Sequence, residues 1–166
     1  MNVNIYSRNG GLFSRTTCGW QGLVEMLRTC FTRQIETWAE WCIRSGAGMN
    51  AEQSRRLADA IDAAILSGEV DRYVKERDAR IDALPDDTCT VCCGSGVRHD
   101  DVGQRGGQPD RIITEVGHPR YGQIGWCSEC NGVGTIPPEE TWHRLDSDDV
   151  REFSAFVRAG GGFEIK

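Results

Sequence analysis

The sequence contains almost no lysine: Lys75 and Lys166 are the only two in 166 residues, and the other basic side chains are arginines. Acidic residues outnumber basic ones, giving a net charge of −6 and an isoelectric point near 5.1. Nucleic-acid-binding proteins usually carry a basic surplus because neutralising phosphates drives their affinity. The charge balance therefore favours a protein partner, although ordinary surface charge or imitation of a nucleic acid would also produce it.

Long apolar runs are also absent. No segment approaches the roughly 20 apolar residues that a membrane-spanning helix needs. The first residues, MNVNIYSRNGG, lack the basic start and the apolar stretch of a secretory signal. We therefore expect a cytoplasmic protein without membrane association. In a reducing compartment, the eight cysteines are more naturally metal ligands or buried thiols than disulfides.

Catalytic motifs are missing too. The chain has three histidines and no GxSxG, HExxH or GxxxxGK[ST] motif. Three pairs of adjacent aspartates, at 86–87, 100–101 and 148–149, lie mostly at helix starts or in loops, where capping and solvation explain them. The sequence predicts a non-catalytic protein, with an unrecognised hydrolase as the enzymatic alternative.

Helical spacing of apolar residues marks most of the remaining chain. We predict helices from Trp20 to Cys42 (one bent helix or two short ones), from Asn50 to the turn at 67–69, from Val70 to Leu84, and over 147–159 with Ser147 as N-cap. Asn50 and Gln53 resemble the reciprocal pair of a capping box. These segments predict a mainly helical body.

Short strands are predicted at both ends, VNIYS at 3–7 and FEI at 163–165, and their pairing would bring the ends together. The predicted fold is α+β and mainly α, with a body formed by 1–85 and 139–166. Residues 86–138 form an inserted zinc-knuckle and β-hairpin module. This module is rich in Gly, Cys and Asp and poor in aliphatic residues, so it needs a source of stability other than an apolar core.

Two segments of this module, CTVCCGSG at 89–96 and CSECNGVG at 127–134, share the pattern CxxCxGxG. We call them the first and second knuckle. Each CxxC pair can present two thiolates from one tight turn, and two such turns facing each other form a tetrahedral four-sulfur site. Glycine tolerates the positive φ that these turns require. The predicted metal ligands are Cys89, Cys92, Cys127 and Cys130, and the turn residues are Gly94, Gly96, Gly132 and Gly134.

The predicted cofactor is one zinc ion, since four thiolates suit tetrahedral zinc and leave no open catalytic position. An iron–sulfur cluster is the alternative that also accepts four cysteines. Cys93 is expected to be a spacer that faces away from the metal, with a substitute ligand or a redox-sensitive thiol as alternatives. Cys30 and Cys42 are expected to be small buried hydrophobic residues. His118 is expected on the surface or as a hydrogen-bond donor near the site.

Between the knuckles, arginines are interleaved with aromatic residues. Such a set can contact phosphates and stack on bases, or it can form a protein-binding β-hairpin with RIITEV as one strand. The overall acidity favours the second interpretation. The candidate partner-binding residues are Arg98, Arg105, Arg111, Arg120, Tyr121 and Trp126.

The doubled CxxCxGxG pattern resembles the cysteine-rich zinc domain of DnaJ (Hsp40)-type chaperones over residues 89–134. That family carries four repeats and two zinc ions, so two repeats imply one ion held by the four knuckle cysteines. A J-domain with its His-Pro-Asp loop and a Gly/Phe-rich linker are absent. The resemblance therefore implies a zinc module and not a complete co-chaperone.

The layout, a helical body interrupted by two knuckles, is similar to that of the lambdoid phage late-gene antiterminators. Those proteins bind DNA and RNA polymerase. Our hypothesis is a zinc-binding adaptor or inhibitor that acts on a host protein or nucleic-acid machine, encoded by a phage and directed against host defence. The alternative is a nucleic-acid-binding transcription regulator of the antiterminator kind.

Overall fold

The computed structural model describes residues 2–33 and 47–166, which form two compact units. The first unit combines the described parts of 1–83 and 140–166, and the second is Leu84–Glu139. Of the helix predicted from Trp20 to Cys42, the structure shows the part that ends at Cys30, and residues 31–33 are not helical. The remainder of that prediction lies outside the described residues, as does the expected burial of Cys42.

The first unit contains four main helices and four strands among its described residues. They are β1 (Asn2–Ser7), β2 (Leu12–Thr16), α1 (Thr17–Cys30), β3 (Gly48–Asn50), α2 (Ala51–Leu66), α3 (Glu69–Asp82), α5 (Ser147–Ala159) and β6 (Gly162–Ile165). The second unit contains β4 (Asp87–Thr88), α4 (Asp101–Arg105) and β5 (Thr135–Ile136), and a short 3-10 helix follows at Glu139–Trp142. The predicted α+β, mainly helical fold class is confirmed. No helix within the described ranges is both long enough and apolar enough to cross a bilayer.

The first unit is organised around a four-stranded antiparallel sheet in the order β2-β1-β6-β3. The two terminal strands pair at its centre, with Ile5 opposite Ile165, so the predicted pairing of the chain ends is confirmed. Strand β2 was not predicted from the sequence. It has one buried apolar side chain, Phe13, and its other inward residue, Arg15, bonds to acids on α5.

The core lies on one face of this sheet, where alternate strand residues meet the helices. Phe153 of α5 is at its centre, with ring centroids 5.4 Å from Phe13, 6.0 Å from Trp20 and 6.2 Å from Phe163. All three pairs meet edge to face, the arrangement that aromatic quadrupoles favour. These aromatic rings pack in one core with aliphatic residues of the strands and helices, such as Ile5, Leu23 and Ile61.

Two helix ends differ from the sequence prediction, and one agrees with it. Asn50 and Gln53 form the predicted capping box at the start of α2. The N-cap of α5 is Asp146, not Ser147, because the Asp146 carboxylate accepts from the N–H of Asp148 at 2.8 Å. The helix predicted to reach Leu84 ends at Asp82, and Leu84 is exposed.

The second unit has little regular structure. Its one ladder joins Asp87 to Ile136 and Thr88 to Thr135, and the short helix α4 was not predicted. Its buried cluster consists of the four knuckle cysteines, with Val91 and Ile136 packed partly buried against them. A unit of this size with so small an apolar core needs a crosslink or a metal ion for stability.

Candidate metal centre

The four knuckle cysteines meet inside the second unit. Their Sγ atoms all lie within 4.8 Å of one another, and each cysteine is at most 7% exposed. The Sγ atoms of Cys89 and Cys127 are 4.0 Å apart, and those of Cys92 and Cys130 are 3.7 Å apart. None of the seven cysteines in the described ranges forms a disulfide. This arrangement of thiols can hold a metal ion.

The two knuckles repeat the same backbone path. In the first, the Gly94 N–H donates to the Cys89 carbonyl at 3.2 Å, and in the second the Gly132 N–H donates to the Cys127 carbonyl at 2.9 Å. The next residue in each case, Ser95 or Val133, donates to the carbonyl of the second cysteine. The shared spacing in the sequence therefore corresponds to a shared turn in the structure.

A backbone N–H points at one sulfur of each knuckle. Gly96 donates to the Sγ of Cys92, and Gly134 donates to the Sγ of Cys130, both at 3.2 Å. Such bonds stabilise a thiolate because they place a positive dipole end beside its charge. The turns thus present sulfur donors and also offset part of the charge that those donors carry.

The same glycines bring the knuckles into close contact. A Cβ on Gly96 would lie 2.3 Å from the carbonyl oxygen of Gly132, and a Cβ on Gly134 would lie 2.4 Å from that of Gly94. Their φ angles of 71° and 96° are in the left-handed region. Only glycine satisfies both the turn and the reciprocal packing, so these positions are part of the site.

Cys93 occupies the position in the first knuckle that Asn131 occupies in the second. Both are non-glycine residues with positive φ, 51° and 49°. Cys93 is exposed, and its Sγ lies 3.7 Å from the carbonyl oxygen of Thr90, outside the four-sulfur cluster. The prediction that Cys93 is a spacer is consistent with this placement.

The local environment separates the acidities of the thiols. Burial raises the pKa of Cys92, but hydrogen bonds from the Gly96 N–H and the neighbouring thiols outweigh it and lower the pKa to about 7. Burial raises the pKa of Cys130 to about 12 and also raises that of Cys127. Without an ion, Cys127 and Cys130 are therefore protonated at neutral pH. A cation that binds all four sulfurs must displace those protons.

Two of the candidate partner-binding arginines, Arg98 and Arg120, are each held by several internal hydrogen bonds. Arg98 forms a two-pronged ion pair with Asp100, at 2.7 and 2.8 Å. This hydrogen bond, together with one from the Gly103 N–H, lowers the pKa of Asp100 to about 2. Arg120 donates to the carbonyl of Gly132 at 3.1 Å and to that of Ser95 at 3.4 Å. Arg120 thus links the second knuckle to the first.

The other candidates are more open. The Arg111 guanidinium carbon lies 3.9 Å from the ring centroid of Trp126, and the Trp126 indole N–H donates to the side chain of Asn131. Arg105 and Tyr121 are exposed. The structure thus collects Arg111 and Trp126 beside the second knuckle but brings neither of them to the sulfur cluster.

Two polar side chains of the loop support this site: His118, which has the expected role of a hydrogen-bond donor near the cysteines, and Gln108, which was not recognised in the sequence. His118 Nδ1 accepts from the Arg120 N–H at 3.0 Å, so its Nε2 donates to the carbonyl of Asn131, 2.7 Å away. Gln108 is buried and bonds to both the N–H and the hydroxyl of Ser128. No motif marks these residues, because their roles arise from contacts between distant parts of the loop.

No known protein-family model matches the sequence, and no curated protein or solved structure matches the chain.

Proposed function

We propose that this protein is a non-catalytic, zinc-binding interaction protein. Residues 84–139 form a metal-stabilised module that binds a protein partner in the cytoplasm, and the protein acts as an adaptor or inhibitor. The observation that carries the proposal is the convergence of four buried thiols from two matching glycine turns, in a unit with almost no apolar core. Such a unit gains its folding free energy from the metal.

Zinc is the proposed ion because the sulfur spacing suits it. A regular tetrahedron with zinc–sulfur bonds of about 2.3 Å has edges of about 3.8 Å. Two of the six sulfur–sulfur distances are 3.7 and 4.0 Å, and none exceeds 4.8 Å, so the four sulfurs lie within about 1 Å of the edges of such a tetrahedron. Four sulfurs around one small ion leave no position for a substrate or a water molecule. This supports a structural role for the metal.

A protein partner is favoured by the charge of the module. Residues 84–139 contain eight acidic residues, four arginines and no lysine. Arg98 is paired with Asp100, and Arg120 is engaged with backbone carbonyls. A surface with so few open cations is poorly suited to phosphate backbones. The resemblance of the knuckles to DnaJ-type zinc domains, and of the layout to phage antiterminators, supports extending the proposal to a phage-encoded inhibitor of a host defence machine.

The metal assignment predicts the outcome of cysteine substitutions. Cys89→Ser and Cys127→Ser should each lower zinc content from one equivalent per chain and unfold the module, because a ligand is lost and a buried hydroxyl replaces it. Zinc content is measured by inductively coupled plasma mass spectrometry. Folding of the module is measured by the protection of the backbone amides of residues 84–139 from hydrogen exchange. Cys93→Ser is the matched control and should retain zinc. Unchanged zinc and melting in Cys89→Ser would refute the site, and stoichiometric iron would identify a cluster instead.

The interaction function is tested by tagged capture from a native-host lysate, with and without nuclease. The proposal expects a stoichiometric protein that is retained after nuclease treatment. Recovery that depends on intact nucleic acid would favour the antiterminator-like alternative. Absence of any specific partner, with zinc fully bound, would contradict the interaction role while leaving the metal site in place.

A further inference from the structure

The loop between the knuckles folds back on itself over residues 110–125. The Ile113 N–H donates to the Gln123 carbonyl at 3.0 Å, and the Gly125 N–H donates to the Arg111 carbonyl at 2.8 Å. Between these bonds, Ile112 and Ile124 form an antiparallel bridge. We call residues 110–115, with Ile124 opposite, the hairpin edge.

The hydrogen-bond pattern determines where the Ile112 peptide groups point. A residue between two flanking ladder bonds in an antiparallel pair directs its own N–H and C=O away from its partner strand. Ile112 is such a residue, and the described part of the chain supplies no hydrogen bond to its backbone. The hairpin edge therefore has open backbone donors and acceptors of the kind that an added strand uses.

Apolar side chains lie beside this open backbone. Ile112 and Ile124 are opposed in a non-hydrogen-bonded pair, where side chains approach most closely. They are 55% and 63% exposed, and Tyr121, on the same return of the loop, is 61% exposed. All three side chains are large and apolar, and this unit buries very few side chains of that kind. Together with the open peptide groups, they match what an extended segment requires: main-chain pairing and a contact for an apolar side chain.

The charge on the hairpin edge indicates the chemistry of its partner. Asp110 and Glu115 stand at its two ends, and neither forms an ion pair within the described residues. Arg111 is the one base in this stretch, and its guanidinium lies over Trp126. The module as a whole is acidic. Basic side chains at the ends of a docked segment would therefore be favoured, and nucleic acid would be repelled.

We propose that the hairpin edge binds an extended, basic segment of the partner protein as an added β-strand. The partner strand pairs with the peptide groups of Ile112, places an apolar side chain against Ile112 and Ile124, and sets Lys or Arg near Asp110 and Glu115. This inference rests on the proposed interaction function, for which it names the surface and the class of partner.

The first experiment selects peptides on the zinc-loaded, full-length protein from a displayed library of random peptides about 12 residues long. The expected result is enrichment of sequences that alternate β-branched residues and carry Lys or Arg toward both ends. A library that yields no enrichment over bare support, or yields acidic peptides, would overturn the proposal.

Variants then assign the binding to the surface. Ile112→Asp should weaken the best selected peptide by about tenfold or more, because it removes the central apolar contact. Val102→Asp is the matched control, since it also changes an exposed apolar residue of this module to an acid but lies on α4. Asp110→Lys combined with Glu115→Lys should shift the selection toward acidic peptides. Zinc content confirms that each variant retains its metal site.

Three other results would contradict the hairpin edge specifically. Equal peptide binding by wild type and Ile112→Asp would place the contact elsewhere. Binding of oligo(dT) or of a single-stranded RNA that is lost in Ile112→Asp would assign the surface to nucleic acid. A dimer that Ile112→Asp converts to monomer would assign it to a second copy of the chain. If lysate capture succeeds equally with Ile112→Asp, the interaction function stands and this inference fails.

Discussion

Gly96 and Gly134 are residues of the module at which an added side chain would meet both a backbone clash and an unfavourable φ. Alanine at either position would combine left-handed backbone with a Cβ less than 2.5 Å from a carbonyl oxygen of the other knuckle. Because backbone atoms on both sides are fixed by the knuckle turns, neither can move away cheaply. We expect either substitution to separate the two thiol pairs.

Gly96→Ala and Gly134→Ala should therefore accelerate zinc release and lower the melting temperature of the module. Gly107→Ala is the control, since its φ of 64° is also left-handed but nothing lies within 4 Å of the added Cβ. Gly107→Ala should lower the free energy of unfolding only by the backbone strain, about 1–2 kcal/mol. If Gly96→Ala and Gly107→Ala had equal effects, the left-handed backbone alone, without the packing between the knuckles, would explain why position 96 needs glycine.

The meeting of the four knuckle cysteines and the positions of the turn glycines could be predicted from the sequence because a repeated spacing encodes a repeated turn. Arg120 was instead predicted to contact a partner, and the structure shows it bonded to carbonyls of both knuckles. The difference has a physical cause. A guanidinium can satisfy backbone carbonyls as readily as phosphates, and which it does depends on how the loop closes, which no local pattern specifies.

The start of a helix is likewise hard to predict when local sequence preference allows two neighbouring positions. Ser147 and Asp146 are adjacent and both are good N-cap residues, so sequence preference does not separate them. The structure places the cap at Asp146, with its carboxylate on the Asp148 N–H. The capping box at Asn50 could be predicted because a second, reciprocal signal from Gln53 fixes the register.

Asp146→Ala should destabilise the first unit by about 1 kcal/mol, because it removes the N-cap of α5. Ser147→Ala should have a much smaller effect, and Asp146→Asn should restore most of the loss because the amide oxygen also accepts. The free energy of unfolding in denaturant measures all three. A larger loss in Ser147→Ala than in Asp146→Ala would reverse this assignment.

Helix α3 is joined to α1 by a carboxylate shared between two arginines. Glu25 accepts from Arg77 at 2.7 and 3.0 Å and from Arg80 at 2.9 Å. The Arg77 side chain is only 2% exposed, and its Nη1 has no hydrogen-bond partner among the described residues. The stability of the Arg77 charge therefore depends on Glu25.

Glu25→Ala should destabilise the protein by about 2–3 kcal/mol, less than for a fully buried pair because Glu25 remains partly solvated. Arg77→Met should destabilise the protein less than Glu25→Ala, because it removes the buried charge and leaves no unpaired guanidinium in the interior. The double variant should be more stable than Glu25→Ala alone. Denaturant unfolding of the wild type and these three variants completes a double-mutant cycle, and simple additivity of the two single effects would argue against the dependence of Arg77 on Glu25.

At the scale of the whole molecule, the fold class and the pairing of the chain ends could be predicted, because periodicity and end-to-end topology are visible in sequence. Strand β2 could not, since Arg15 faces inward there and breaks the alternation of apolar and polar residues. Of the hairpin edge, the sequence predicted only the strand RIITEV. Its single bridge depends on glycines and turns at 117–125 that do not form a regular strand signal.

The metal affinity of the whole protein should rise steeply with pH. Binding requires four thiolates, whereas burial raises the pKa of Cys127 and Cys130 and keeps both protonated at neutral pH. Each proton displaced adds about a tenfold gain in affinity per pH unit, so Cys127 and Cys130 alone predict about a hundredfold between pH 6 and 7. Cys92, whose pKa is about 7, adds to this gain because it also loses its proton over that range. Competition with a chromophoric zinc chelator measures this slope. A zinc affinity that does not change with pH would mean that the thiols are already ionised before the metal binds.

Strands β4 and β5 are short, yet they determine how the cysteine-rich segment is joined to the rest of the chain. Asp87 lies directly opposite Ile136, so the chain leaves the segment beside the point where it arrived, about 5 Å away. The sheet β2-β1-β6-β3 includes no residue from between them. One genetic event could therefore add or remove the whole segment, and a turn of a few residues would reconnect the ends. The same geometry makes the segment suitable for transplantation into a surface loop of an unrelated protein.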